Sequence, residues 1–128
     1  MKLLLDTHTF LWLLESPEKL SEVALGACKS REHQLFFSVV TGWEIQIKSQ
    51  LGKLILEVPL SEMVESQQAF NELQVLPVTL DHVLELENLL PLHKDPFDRL
   101  LVAQARVENL HLVTGDGVIS QYAVTVLW

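Results

Sequence analysis

Short apolar runs alternate along this chain with longer stretches in which apolar and polar residues mix at helical spacing. That alternation predicts strands interleaved with helices. Leu3-Leu4-Leu5 is too short for a helix and reads as a central strand. Asp6 or Thr7 then opens a helix through Leu14, and Ser16-Pro17 ends it. Ser21 is a fair N-cap, with Glu22 in the first turn, for a second helix reaching about Lys29. Leu35 to Val39 is aromatic and β-branched, hence a strand. From Thr41 to Leu51 the residues Trp43, Ile47 and Leu51 recur every four positions, so a helix is expected, with Gly42 in its first turn costing up to about 1 kcal/mol relative to Ala. Ser61 and Glu62 open another helix to about Leu73. Gln74 to Val78 is a short strand whose Pro77 suggests a sheet edge. Asp81 is expected to cap a helix through Leu89. Asp95-Pro96, an acidic cap followed by proline at the first helical position, starts a helix to Glu108 or Asn109. His111 to Thr114 is a strand, Gly115-Asp116-Gly117 a turn, and a short helical turn precedes a last strand, Ala123 to Leu127. The repeated βα order implies an α/β fold, a parallel sheet with helices on both faces.

Composition narrows the picture. At 128 residues the chain is expected to form one domain, residues 1–128, and its 48% hydrophobic and 20% charged content is that of a globular protein. Nine basic residues against 17 acidic ones leave a net charge of −8, which argues against a broad cationic surface for a phosphate backbone. A polyanionic substrate would need another attractor, and a bound metal is the usual one. Cys28 stands alone, so neither a disulfide framework nor a thiolate metal site is expected. No apolar run approaches the length of a membrane span. Met1 to Leu5 imitates a signal peptide, but Asp6 and His8 break the apolar stretch, so a cytoplasmic protein with no membrane partner is expected.

In open α/β sheets, function sits beyond the carboxyl ends of the strands. Four acids fall there: Asp6 after the first strand, Glu44 in the first turn of the helix after the second, Asp98 in the first turn of the Asp95-Pro96 helix, and Asp116 after the strand His111 to Thr114. Each has a purely structural explanation. Asp6 can cap a helix, Glu44 can pair with Lys48 one turn on, Asp98 can complete a capping box with Asp95, and Asp116 can serve a turn. What those explanations leave open is why four separate elements would aim an acid at one edge. Two unit charges about 4 Å apart repel by roughly 4 kcal/mol at an effective dielectric near 20. A hard divalent cation relieves that repulsion, and all-oxygen ligands suit Mg²⁺ or Mn²⁺. A water deprotonated on such an ion can attack phosphorus while the ion neutralises the phosphate.

At these residues the chain resembles a PIN domain, and within that family the VapC-like toxins of bacterial toxin–antitoxin pairs. The matching stretches are Leu3 to His8, Ser38 to Lys48 with Trp43-Glu44-Ile45, His93 to Ala105 with Asp95-Pro96-Phe97-Asp98-Arg99, Leu112 to Asp116, and Val126-Leu127-Trp128. The segment from Asp95 to Ala105 is the most specific of them. Gly42 departs from the subgroup, which usually has a larger apolar residue there. The resemblance implies a three-layer α/β/α sandwich on a parallel sheet of about five strands. It also implies a Mg²⁺- or Mn²⁺-dependent endoribonuclease, with Asp6, Glu44, Asp98 and Asp116 as metal-holding and catalytic positions. A cognate antitoxin protein and a homodimer are the implied partners, alongside the RNA substrate. The antitoxin would inhibit by filling the acidic groove with a basic side chain, and the apolar helix around Trp12, Leu13 and Leu14 would serve as dimer surface or as monomer core.

Around the four acids, Thr7 and Thr114 could orient a carboxylate or a water through their hydroxyls, or simply belong to a helix start and a strand end. By capping logic Asp95 is structural. Arg99 meets either an RNA phosphate or a nearby acid, and Lys94, Lys48 and Lys53 line a groove or are merely solvated. His8 and His93 are expected near the site mouth, with local hydrogen bonding as their simplest role. The five histidines share no ligand spacing, which argues against a zinc site. Two other function classes are compatible with the βα order: a receiver-like phosphoacceptor module, which would want an acidic pair after the first strand and a late lysine that are both missing here, and an inactive binding module with the same fold.

Overall fold

Three consecutive leucines can all be buried only where a strand has packed layers on both faces, and that is where the computed structural model, which describes residues 1–128, places them. Leu3, Leu4 and Leu5 lie in β1 (Lys2–Leu5), the middle strand of a five-stranded, all-parallel sheet. With β2 (Gln34–Ser38), β3 (Gln74–Leu76), β4 (His111–Val113) and β5 (Val126–Leu127), the order across the sheet is β3-β2-β1-β4-β5. Side chains alternate between the faces. Leu3, Leu5, Leu35, Phe37 and Val113 join one core with Phe10, Ala24, Ile45 and Met63. Leu4 and Leu112 join the other with Leu101, Val102, Ala105 and Ile119. Helices α1 (Thr7–Glu15), α2 (Glu22–Lys29) and α4 (Leu60–Asn71) therefore cover one face. Helix α6 (Pro96–Glu108) covers the other, packed against α5 (Leu80–Glu85). Helix α3 (Val39–Gln50) contributes Val40 to the second core and Ile45 to the first. Trp12, Leu13 and Leu14 pack half-buried against the first core. The result is the expected α/β/α sandwich, and no helix is long and apolar enough to cross a membrane.

Several local expectations shift. Asp81 does not cap α5: Thr79 does, accepting from the backbone N–H of His82, while His82 Nδ1 accepts from the Thr79 N–H at 3.0 Å. This is a capping box in which imidazole takes the place of the usual Glu or Gln. The last strand shortens to Val126–Leu127, because the Val124 N–H turns back onto the Tyr122 carbonyl. Helix α3 starts two residues early, directly from the strand, because the Ser38 hydroxyl accepts from the Val40 N–H. Its buried face is Val40, Thr41, Glu44 and Ile45, whereas Trp43 and Leu51 from the four-residue pattern are 59% and 63% exposed. Gly42 makes the close packing of α3 affordable, since a Cβ there would stand 3.3 Å from the Phe37 ring. Pro77 follows β3, which is an edge strand as expected.

Register positions the functional edge. Leu5 pairs with both Phe37 and Val113, so Asp6, Ser38 and Thr114 leave three adjacent strands side by side. Everything placed just beyond them converges on one end of the sheet.

Candidate metal centre

Asp6 N-caps α1, accepting from the Thr9 N–H at 2.7 Å, and is almost fully buried. Glu44, now in the second turn of α3, is equally buried and has a partner for each oxygen. The Thr7 hydroxyl donates to Oε1 at 2.6 Å and the Lys48 ammonium to Oε2 at 2.5 Å. The i,i+4 ion pair expected on structural grounds is thus formed, but at the floor of the site. The hydrogen bond to Glu44 holds the Lys48 ammonium above the ordinary lysine value against the opposing effect of burial, and the charges of Glu44, Asp95 and Asp98 add to it. Asp95 caps α6, accepting from the N–H groups of Phe97 and Asp98 at 2.8 and 3.4 Å. Asp98 makes no capping box; its carboxylate is turned toward the other acids. Asp116 sits in the turn after β4, where its Oδ1 accepts from the Val118 N–H at 2.8 Å and its own N–H donates to the Thr114 hydroxyl at 3.1 Å. Capping and turn duties coexist with convergence, because each carboxylate oxygen has two acceptor sites.

His93 joins two of these acids. Its Nδ1 accepts from the Asp95 N–H at 3.1 Å, so the ring proton resides on Nε2. Nε2 donates to Asp116 Oδ2 at 2.9 Å and stands 3.1 Å from Asp98 Oδ2. The ligand-type atoms of His93, Asp98 and Asp116 all lie within 4.8 Å of one another. The imidazole thus offers the acids a proton. The loop carrying His93 is held by Tyr122, whose hydroxyl accepts from the His93 N–H at 2.8 Å and from Arg99 Nη1 at 3.1 Å. Arg99 also donates to the Leu90 carbonyl at 2.8 Å, so its guanidinium ties the loop ahead of α6 to the domain. Of these residues, Tyr122 and the bridging geometry of His93 were not anticipated. The only sequence signal for them was the position of His93 at the start of the most specific motif.

Electrostatics give the same account of crowding. Burial, then the charge of Asp95, push the Asp98 carboxyl up to about 7; Glu44 and Asp6 push the same way, and His93 opposes them. Asp98 therefore feels the acids of β1, α3 and its own helix cap at once. Burial would raise Asp116 too, but the His93 hydrogen bond and the N–H groups of Val118 and Ile119 outweigh it and hold that carboxyl below the ordinary value. The charges of Asp6 and Glu44 reach Asp98, but the atoms close enough to share one ion are those of Asp98 and Asp116 beside His93, and carboxylate oxygens of that kind suit a hard divalent ion. Of the four expected acids, the structure brings Asp98 and Asp116 together within 4.8 Å, and Asp6 and Glu44 lie outside the group.

Asp95→Asn separates cap from charge, because Asn caps a helix as well as Asp. The variant is expected to keep the fold and to lower the Asp98 pKa, since a negative neighbour is gone. Uptake of Mn²⁺ followed against pH should then begin at lower pH than in the wild type; an unchanged midpoint would show that Asp95 exerts no field on the site.

The model of the PIN domain family matches residues 3–124. Among solved structures, the chain is similar to "VapBC2 from Rickettsia felis bound to a DNA fragment from their promoter", with 13% identity, a TM-score of 0.74, and coverage of 98% of this chain and 97% of that one. It is also similar to "FitAcB from Neisseria gonorrhoeae", with 17% identity, a TM-score of 0.61, and coverage of 97% and 95%. "VapBC-1 from nontypeable Haemophilus influenzae" aligns with 17% identity, a TM-score of 0.60, and coverage of 98% and 96%. No curated protein matches the sequence.

Proposed function

The chain belongs to the PIN domain family, and on that premise we propose that it is a Mg²⁺- or Mn²⁺-dependent endoribonuclease acting as the toxin of a toxin–antitoxin pair. Membership of this family sets aside the receiver-like alternative. The observation that carries the reading is the placing of acids from the end of β1, from α3, from α6 and from the turn after β4 at one sheet edge, where burial and then the charges of Asp95, Glu44 and Asp6 lift Asp98 to about 7. A divalent ion, when bound, lowers the pKa of a water and neutralises charge growing on the phosphate oxygens. The chain's own groups do the rest. Asp6, Glu44, Asp98 and Asp116 hold the cation, and the Thr7 hydroxyl and Lys48 ammonium fix the orientation of Glu44. His93 keeps Asp116 and Asp98 turned toward each other. No side chain needs to act as general base, and a site on a chain of net charge −8 can still receive a phosphodiester once the cation is present.

The partner reading follows from the same hollow. A cognate antitoxin would inhibit by inserting a basic side chain among the acids, the chemistry that Lys48 already practises on Glu44. Assembly as a homodimer and a cytoplasmic setting complete the proposal.

The test is RNA cleavage by the purified chain with Mg²⁺, with Mn²⁺ and with EDTA. Cleavage is expected only with a cation, lost in EDTA and restored when the ion is returned. Cleavage that persists in EDTA would overturn the mechanism.

A further inference from the structure

Beside the acids lies a cavity of about 380 Å³, within the range of small-molecule sites. Asp6 and Asp116 form part of its wall, and His8, Trp12 and Trp128 supply aromatic surface. The His8 ring is stacked on Trp12, with centroids 5.4 Å apart and planes 21° from parallel. Trp128 lies 6.3 Å from Trp12 at 54°. Lys19 stands at the rim, its Nζ 6.0 Å from the centroid of the Trp12 ring. Gly115, the residue before Asp116, lets the Trp128 indole lie directly on the backbone, since a Cβ there would be 2.8 Å from the ring. His8 and Trp128 keep solvent-exposed surface. A larger cavity, about 640 Å³ and bounded by Leu54 to Ser61, offers neither an aromatic ring nor a cation, and another of about 440 Å³ beside Arg106 has no aromatic ring.

We propose that this cleft is a stacking subsite for one nucleobase of the RNA, the base next to the phosphate that is cut. The proposal rests on the nuclease reading and deepens it. A cleft walled by two carboxylates repels phosphate but accepts a neutral base, and every base has a π-face that aromatic rings can meet. Lys19 is placed to take the phosphate on the outer side of that base. Because stacking tolerates any base, the subsite contributes to binding more than to sequence choice.

The experiment is tryptophan fluorescence of the full chain in Mg²⁺, titrated with adenosine 5′-monophosphate and, separately, with ribose 5-phosphate, which lacks the base. Saturable quenching is expected with the nucleotide alone. Trp43→Phe, outside the lining of this cavity, should keep the quenching, whereas His8→Ala and Trp128→Leu should weaken nucleotide binding about tenfold. On RNA, the same two variants should raise KM by a similar factor with kcat within about twofold. Equal quenching by ribose 5-phosphate, or unchanged binding and KM in both variants, would overturn the subsite while leaving the nuclease intact. Base-dependent quenching in a chain that cleaves no RNA would instead support the base site and overturn the nuclease reading.

Discussion

Asp98→Asn is expected to lose cation-dependent RNA cleavage by a factor of about 10²–10³ or more while raising the melting temperature of the metal-free protein. The loss follows from removing a charge that, on the proposed reading, holds the cation, an electrostatic element of the kind whose removal costs about that much. The gain in stability follows from linkage. The folded-state pKa of Asp98, about 7, is raised above the ordinary 3.8, first by burial and then by Asp95. The folded chain therefore binds a proton that the unfolded chain has released, and stability falls as pH rises from about 4 through 7. Above that range the ionised carboxylate is a standing penalty, on the order of 1–2 kcal/mol once solvent screening is discounted. Asn carries no such charge, so the variant should melt several degrees higher at pH 8 and match the wild type near pH 4. A variant that melts lower at pH 8, or that cleaves RNA as the wild type does, would refute charge crowding in the first case and the nuclease assignment in the second. Retained cleavage would also revive the inactive-module alternative, since the nuclease would then be a contaminant.

The second large effect is expected away from the acids. Gln104 is fully buried on α6, its Oε1 accepting from the Ser38 hydroxyl at 2.5 Å and its Nε2 donating to the Pro77 carbonyl at 3.3 Å. Ser38 in turn caps α3. One amide thus ties the start of the Glu44 helix, the Asp98 helix and the end of the β3 edge strand. Gln104→Leu fills the volume but leaves the Ser38 hydroxyl proton without its acceptor and the Pro77 carbonyl without its donor. At about 1–3 kcal/mol for the buried Ser38 donor left unsatisfied, and less for the carbonyl of the exposed Pro77, the variant should lose about 2–4 kcal/mol. That corresponds to a melting temperature lower by about 8–15 °C for a domain of this size. Thermal unfolding followed by circular dichroism measures it, and a drop of a degree or two would mean that the network carries no net stability.

Much of this architecture was legible because its signals are local. Leu3 to Leu5 could only be a doubly covered strand, Asp95-Pro96 could only start a helix, and Pro77, just past β3, marked the edge strand. The four acids were singled out by a rule about where parallel strands end, which needs element order and nothing finer; the structure groups two of them, Asp98 and Asp116, with His93. Failures came where the deciding partner is distant in sequence. The four-residue recurrence of Trp43, Ile47 and Leu51 correctly marks a helix but not its buried face, because the contact with Phe37 and the tie from Glu44 to Thr7 turn Thr41, Glu44 and Ile45 inward. Thr79 displaces Asp81 as a cap because His82, anchored through Nε2 to Glu108 at 3.2 Å, closes the box from the other side.

The chain's order of apolar runs, caps and acids determined by itself a parallel sheet with carboxylates at one end, since each of those features depends on neighbours a few residues away. Tertiary structure alone decided that His93 would stand between Asp98 and Asp116, that Gln104 would reach Ser38, and that three aromatic rings would gather beside the acids. Those contacts join residues as many as 66 positions apart in hydrogen bonds and more in the aromatic cleft, and only strand register brings such distant side chains within reach.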